Sequence, residues 1–118
     1  MQLKLSVRNM NGIAIVDATG RIVFGDESAS LRDTVKRVIT ENKRIVLNLG
    51  EVTYIDSGGL GTLVSLYTTA RSAGGTIKLA SLTKRVGDLL QVTKLLTVFD
   101  VFDNEKQALD SFGKGEAA

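Results

Sequence analysis

Asp56-Ser57-Gly58-Gly59-Leu60-Gly61 is the segment of this chain whose residue types and spacing could do chemistry. An Asp or Ser at a helix start accepts hydrogen bonds from the unpaired amides of the first turn, worth about 1 kcal/mol. Three glycines within four positions strip that turn of side chains, so another backbone can come close. Each interior Gly also costs a helix roughly 1 kcal/mol relative to Ala, so something other than helix stability selects Gly58, Gly59 and Gly61. Two readings fit. In one, the glycines serve tight packing of helix on sheet, and Asp56 and Ser57 are only a cap. In the other, Ser57 is an exposed hydroxyl at the positive end of a helix, where the first-turn amides accept the roughly two negative charges of a phosphate without unfolding the domain. A partner carboxylate within about 4 Å would then be repelled by about 4 kcal/mol at an effective dielectric of 20, roughly a thousandfold in affinity.

Other chemistries lack their residues. The chain has no Cys, His, Trp or Pro, which removes thiol catalysis, Ser-His-Asp triads, histidine phosphorylation and Cys/His zinc sites. We therefore expect no catalytic residue, no metal and no cofactor. A phosphate loop needs a Lys after its last Gly, and none follows Gly61. The dinucleotide pattern fails where Val64 stands in the last glycine's place. A phospho-aspartate receiver would explain an Asp at a strand end, but Asp17 has no acidic neighbour and there is no Lys-Pro. Lys84-Arg85 reads as a solvated first turn. Phe24, Phe99, Phe102 and Phe112 read as core, and Ser28, Ser30, Ser65 and Ser72 as ordinary helix-surface residues.

The elements that must position Ser57 follow from periodicity. At 118 residues, 43% hydrophobic and 24% charged, the chain has the size and composition of one globular domain of roughly 100 to 150 residues. Its net charge of +2 comes without a basic stripe, so nucleic acid is not an expected partner. The uncharged stretch 57–70 is shorter than the roughly 20 apolar residues of a membrane span, and the first residues do not read as a signal peptide. The expected location is the cytoplasm, with no membrane partner.

Leu3, Leu5 and Val7 alternate with polar residues as in a half-buried strand, and Asn11-Gly12 offers a hairpin turn into Gly12–Val16. Leu31, Val35, Val38 and Ile39 lie at helical spacing, with Asp26 as the expected N-cap. Arg44–Leu49 has consecutive apolar residues, as a central parallel strand covered on both faces would. The Gly-rich segment then opens a helix that Gly74-Gly75 stops. Thr76–Ala80 is the next strand, and Val86, Leu89 and Leu90 mark a short helix. Val98–Phe102 is a last strand, and Ala108, Leu109 and Phe112 mark a last helix capped by Asp103 or Asn104. The fold class is α/β: a mostly parallel sheet with an antiparallel pair at its start and about four flanking helices. The domain is expected over residues 1–112, with 113–118 a flexible tail.

This order of elements, the run from Ile45 through Gly61, and above all Asp56-Ser57-Gly58-Gly59-Leu60-Gly61 resemble the STAS domain family, most closely its bacterial anti-sigma factor antagonists. The resemblance implies a non-enzymatic partner switch. Unphosphorylated antagonists of this kind bind an anti-sigma factor that is itself an ATP-dependent serine kinase, and so free the sigma factor. The kinase phosphorylates the serine after the motif's Asp, here Ser57, and a metal-dependent serine phosphatase reverses it; ATP and metal belong to those partners. Asp56, Gly58, Gly59, Leu60 and Gly61 would by the same resemblance form the acceptor and docking surface. An alternative is a STAS adaptor that docks proteins, unphosphorylated, in a signalling or transporter-associated assembly. A small-molecule or nucleotide-binding module is a third reading.

The chain departs from the family pattern twice. Gly58 stands where a second hydroxyl is often found, and Gly20-Arg21-Ile22-Val23 lacks an acid that often follows that glycine. Asp26 comes three residues later, read first as a helix cap and second as a stand-in for that acid at the partner-binding surface.

Overall fold

The structure, a computed structural model, describes residues 3–116, with side chains described through residue 112. The alternating N-terminal segment forms an antiparallel pair, β1 (Leu3–Met10) and β2 (Ile13–Ile22). Asn11 and Gly12 join them with φ of 55° and 78°, the left-handed pair that a two-residue hairpin needs. Four helix or strand units follow in alternation. They are α1 (Asp26–Glu41), β3 (Arg44–Ile55), α2 (Ser57–Ser72) and β4 (Thr76–Ala80). The chain closes with α3 (Lys84–Val92), a 3-10 turn (Leu95–Thr97), β5 (Asp100–Phe102) and α4 (Glu105–Glu116).

The five strands lie in the order β1-β2-β3-β4-β5, parallel except for the first pair, with β3 in the centre. The consecutive apolar residues of β2 and β3 divide between two cores, because successive side chains of a strand point to opposite faces. Ala14, Val16, Ile45 and Leu47 face the larger core, which α1, α2 and α3 supply with Leu31, Leu63 and Leu90 among others. Ile13, Ile15 and Val46 face the smaller one, closed by Ala108 and Phe112 of α4. Arg8 on β1 reaches Asp17 of β2 at 2.6 Å and Glu105 of α4 at 2.6 Å, tying the last helix to the first hairpin. Among the described residues no helix is long and apolar enough to cross a membrane.

Several expectations are corrected. β2 runs to Ile22 and β3 to Ile55, well past their apolar starts, because they pair through the polar stretch with register shifts between Asp17 and Thr19 and between Gly20 and Arg21. Asp26 is not the cap of α1. Gly25 holds that position with φ 106°, and no side chain caps the turn. The carboxylate of Asp26, already inside the helix, comes one residue too late for the N-cap bond.

Ser28 is buried rather than on the helix surface, and its Oγ donates to the Val23 carbonyl at 2.7 Å. The last strand begins at Asp100 rather than Val98. Lys94 is left-handed, the 3-10 turn follows, and Phe99 turns inward to meet Tyr67 edge-on, ring centres 5.5 Å apart. Of the two candidate caps for α4, Asn104 accepts from the Gln107 amide at 2.9 Å. That helix continues through Glu116, into the segment expected as a tail. The side chains of 113–116, and residues 117 and 118, lie outside the described residues.

Candidate functional site

Parallel pairing places the carboxyl ends of β2 and β3 side by side, with Arg21 opposite Tyr54 and Ile22 opposite Ile55. The two chain segments leaving those ends meet at the start of α2. In parallel α/β sheets this crevice beyond the strand ends is the usual place for a binding site.

Asp56 is the N-cap of α2. Its Oδ1 accepts from the Gly59 amide at 2.7 Å, and both its oxygens lie in reach of the Phe24 amide, at 3.2 and 3.1 Å. These donors, Gly59 first and then Phe24, hold the carboxyl below its ordinary pKa. The Asp56 amide in turn donates to the Ile22 carbonyl at 3.3 Å. One residue thus closes the first turn of α2 and fastens it to the β2–α1 loop.

Asp56 having taken the cap, Ser57 is the first residue of the helix, exposed, with no hydrogen-bond partner for its hydroxyl among the described residues. That hydroxyl stands at the positive end of a 16-residue helix, where added negative charge is favoured.

The glycines divide. A Cβ on Gly59 would overlap the Ile22 carbonyl, and one on Gly58 would come within 2.6 Å of the Phe24 Cβ. Both are explained by packing of the helix against the sheet end and its loop. A Cβ on Gly61 would meet nothing within 4 Å, and Gly61 is exposed, so no contact inside the chain requires its bare backbone. Leu60 turns inward to the larger core, 9% exposed, and so supports the helix start from below. Its edge still lines the groove between β3 and α3. The hydroxyl of buried Thr62 donates to the Gly58 carbonyl at 3.0 Å.

Two grooves flank this ridge. One, of about 660 Å³, runs between the end of β3 and α3 and is lined by Tyr54, Asp56, Ser57, Arg85 and Val92 among others. The other, of about 430 Å³, lies toward α1 and is lined by Phe24, Ser28, Arg32, Gly58, Gly61 and Ser65. Each has an apolar knob in solvent. Phe24, expected in the core, is 81% exposed, and Val92 is 79% exposed. Periodicity could not separate Phe24 from the buried aromatics, because it ends an apolar run; its place between Val23 and a left-handed Gly25 is what turns it outward. Asp26 is exposed and lines neither groove. Lys84 pairs with Asp88 at 2.8 Å, as a solvated helix turn would, whereas Arg85 lies over the Tyr54 ring, 5.4 Å from its centre. No group of acidic side chains among the described residues is placed to hold a metal ion.

A mixed sheet with a capped, glycine-rich helix start and an exposed serine between two open grooves defines an α/β domain with its candidate site at the start of α2. The chain belongs to the STAS domain family, whose model matches residues 4–108. It is 28% identical over 111 residues to the anti-sigma F factor antagonist of Paenibacillus polymyxa, covering 92% of this chain and 94% of the relative. The crystal structure of a putative anti-sigma factor antagonist from Thermotoga maritima superposes with a TM-score of 0.82 at 21% identity, covering 91% of this chain and 92% of that one. The Bacillus cell fate determinant SpoIIAA, solved in its phosphorylated form, superposes with a TM-score of 0.70 at 14% identity, covering 92% of this chain and 98% of that one.

Proposed function

We propose that this chain is an anti-sigma factor antagonist that binds, without catalysis, an anti-sigma factor serine kinase, and that phosphorylation of Ser57 switches the binding off. The observation that carries the reading is the division of labour at the start of α2: Asp56 alone makes the cap, which leaves the Ser57 hydroxyl exposed and unengaged. Modification there changes the surface without taking a bond from the fold. The name of the Paenibacillus relative and the phosphorylated form of SpoIIAA support the same reading.

In the transfer, a bond forms between Ser57 Oγ and the γ-phosphorus of the kinase's ATP as the bond to the leaving ADP oxygen breaks, and the hydroxyl proton passes to a base of the kinase. A serine phosphatase with its own metal returns the phosphate to water. The docking face is the ridge Ser57-Gly58-Gly61 with Phe24 and Val92 on its flanks, and both partners meet it in the cytoplasm. The kinase lays its backbone over Gly61.

The deciding measurement is the intact mass of the protein taken from its own cells with phosphatases blocked, followed by site mapping. A single phosphate on Ser57 that varies with growth condition is the expected result. A protein that stays unmodified in every condition overturns the switch and leaves an adaptor that docks proteins without phosphorylation.

A further inference from the structure

Arg21 of β2 and Arg85 of α3 converge on one ring. Their guanidinium carbons lie 5.1 and 5.4 Å from the centre of the Tyr54 ring, inside the range at which a cation is held over an aromatic face. Among the described residues neither arginine is paired with a carboxylate. The two acids that line the adjoining groove are already engaged, Asp56 by the amides of Gly59 and Phe24 and Asp88 by Lys84. Both arginines are exposed. Arg85, Tyr54 and Ser57 line the same groove.

Resting on the reading of Ser57 as a phospho-acceptor, we propose that Arg85, held over Tyr54 in the groove that Ser57 also lines, is the seat for the Ser57 phosphate, drawing it into the groove between β3 and α3 once it is formed, with Arg21 adding positive charge from beside the Tyr54 ring. Arginine forks match phosphate oxygens in pairs, and Tyr54 holds the Arg85 fork in the groove. A phosphate tethered to the groove wall reaches them at an effective concentration of order millimolar, ahead of any anion that a partner brings. The seated phosphate occupies the Arg85 end of the groove that an unmodified chain leaves open, so modification alters this surface as well as adding charge to it.

The test is made on the full chain with phosphoserine installed at position 57 during translation, so that it depends on no kinase. Phosphorus NMR follows the second ionisation of the phosphate, near pH 6 in an unconstrained phosphoserine. In the double variant Arg21→Gln/Arg85→Gln the midpoint should rise by roughly 0.3 to 0.7 of a pH unit, the scale of an exposed ion pair. Tyr54→Leu, which keeps both arginines but removes the platform, should raise it part of the way. Equal midpoints in the parent and the double variant overturn the proposal. So does a double variant that loses capture of the anti-sigma factor while its midpoint stays put, since the arginines then serve the partner's anion. If Ser57 carries no phosphate in cells while the midpoint moves as stated, the seat stands and the switch reading alone fails.

Discussion

Asp56 spans two elements: from the end of β3 its carboxylate reaches the backbone amide of Phe24 in the β2–α1 loop, with both oxygens within 3.2 Å. The helix cap and the loop that carries the most exposed aromatic side chain are one unit, and a change at either is felt at the other.

That unit is sensitive to acid. Asp56 is held below the ordinary carboxyl pKa by the Gly59 and Phe24 amides, and Asp17 by its hydrogen bond from Arg8. A carboxyl whose native pKa is depressed contributes stability that is fully present above the unfolded value, about 3.9 for Asp, and is lost as pH falls through the native one. The thermal midpoint should therefore drop steeply below about pH 4. Asp56→Asn, which keeps a capping oxygen but loses the charge, should lower the midpoint at neutral pH slightly and flatten the acid limb. An acid limb of unchanged slope in that variant would remove Asp56 from the account.

Ser57→Asp should abolish capture of the anti-sigma factor in a titration calorimeter and leave the thermal midpoint nearly unchanged. Ser57→Ala should bind as the unmodified protein does and be as stable or slightly more so, since Ala favours a helix by about 0.5 kcal/mol and the cap belongs to Asp56. A loss near 1 kcal/mol, the cost of a missing cap, would mean that Ser57 shares that role.

Gly61→Ala separates folding from docking. With nothing within 4 Å of the new methyl, the domain should gain up to about 1 kcal/mol in denaturant unfolding, while a partner backbone lying over that turn should be captured at least tenfold more weakly. Unchanged capture would exclude a close approach at Gly61.

Gly58 and Phe24 should be energetically coupled. Gly58→Ser drives a Cβ to within 2.6 Å of the Phe24 Cβ and should destabilise the domain by about 1–3 kcal/mol, as overpacking does. Phe24→Gly should recover most of that loss. Additive effects in the double-mutant cycle would show that the contact yields at no cost.

The coupling of Gly58 and Phe24 also explains what the sequence conceals. Gly58 looks like a missing hydroxyl when the motif is read alone; in the structure it is the space that Phe24 requires. The sheet was legible because its signals are local: unbroken apolar runs at Ile45–Leu47 and Ile13–Val16 for strands covered on both faces, Asn11-Gly12 for the hairpin, and Gly74-Gly75 ahead of Thr76–Ala80. The helix start around Ser57 was legible for the same reason, the cap preceding its glycines. What could not be read depends on pairs far apart in sequence. The polar half of β3 is a strand because β2 pairs with it. Arg85 lies over the ring of Tyr54, which belongs to another element. The Phe24 amide is held by the carboxylate of Asp56, 32 residues further along the chain.

The clip between Arg8 and Glu105 joins residues 97 apart in the chain, and the smaller core beneath it needs Ala108 and Phe112. The larger core, with Ser57 and its cap, draws on no residue of α4, whereas the opposite face of the sheet is sealed only by that helix. Truncation within α4 would therefore leave the start of α2 intact while exposing Ile13, Ile15 and Val46 together as an aggregation-prone surface.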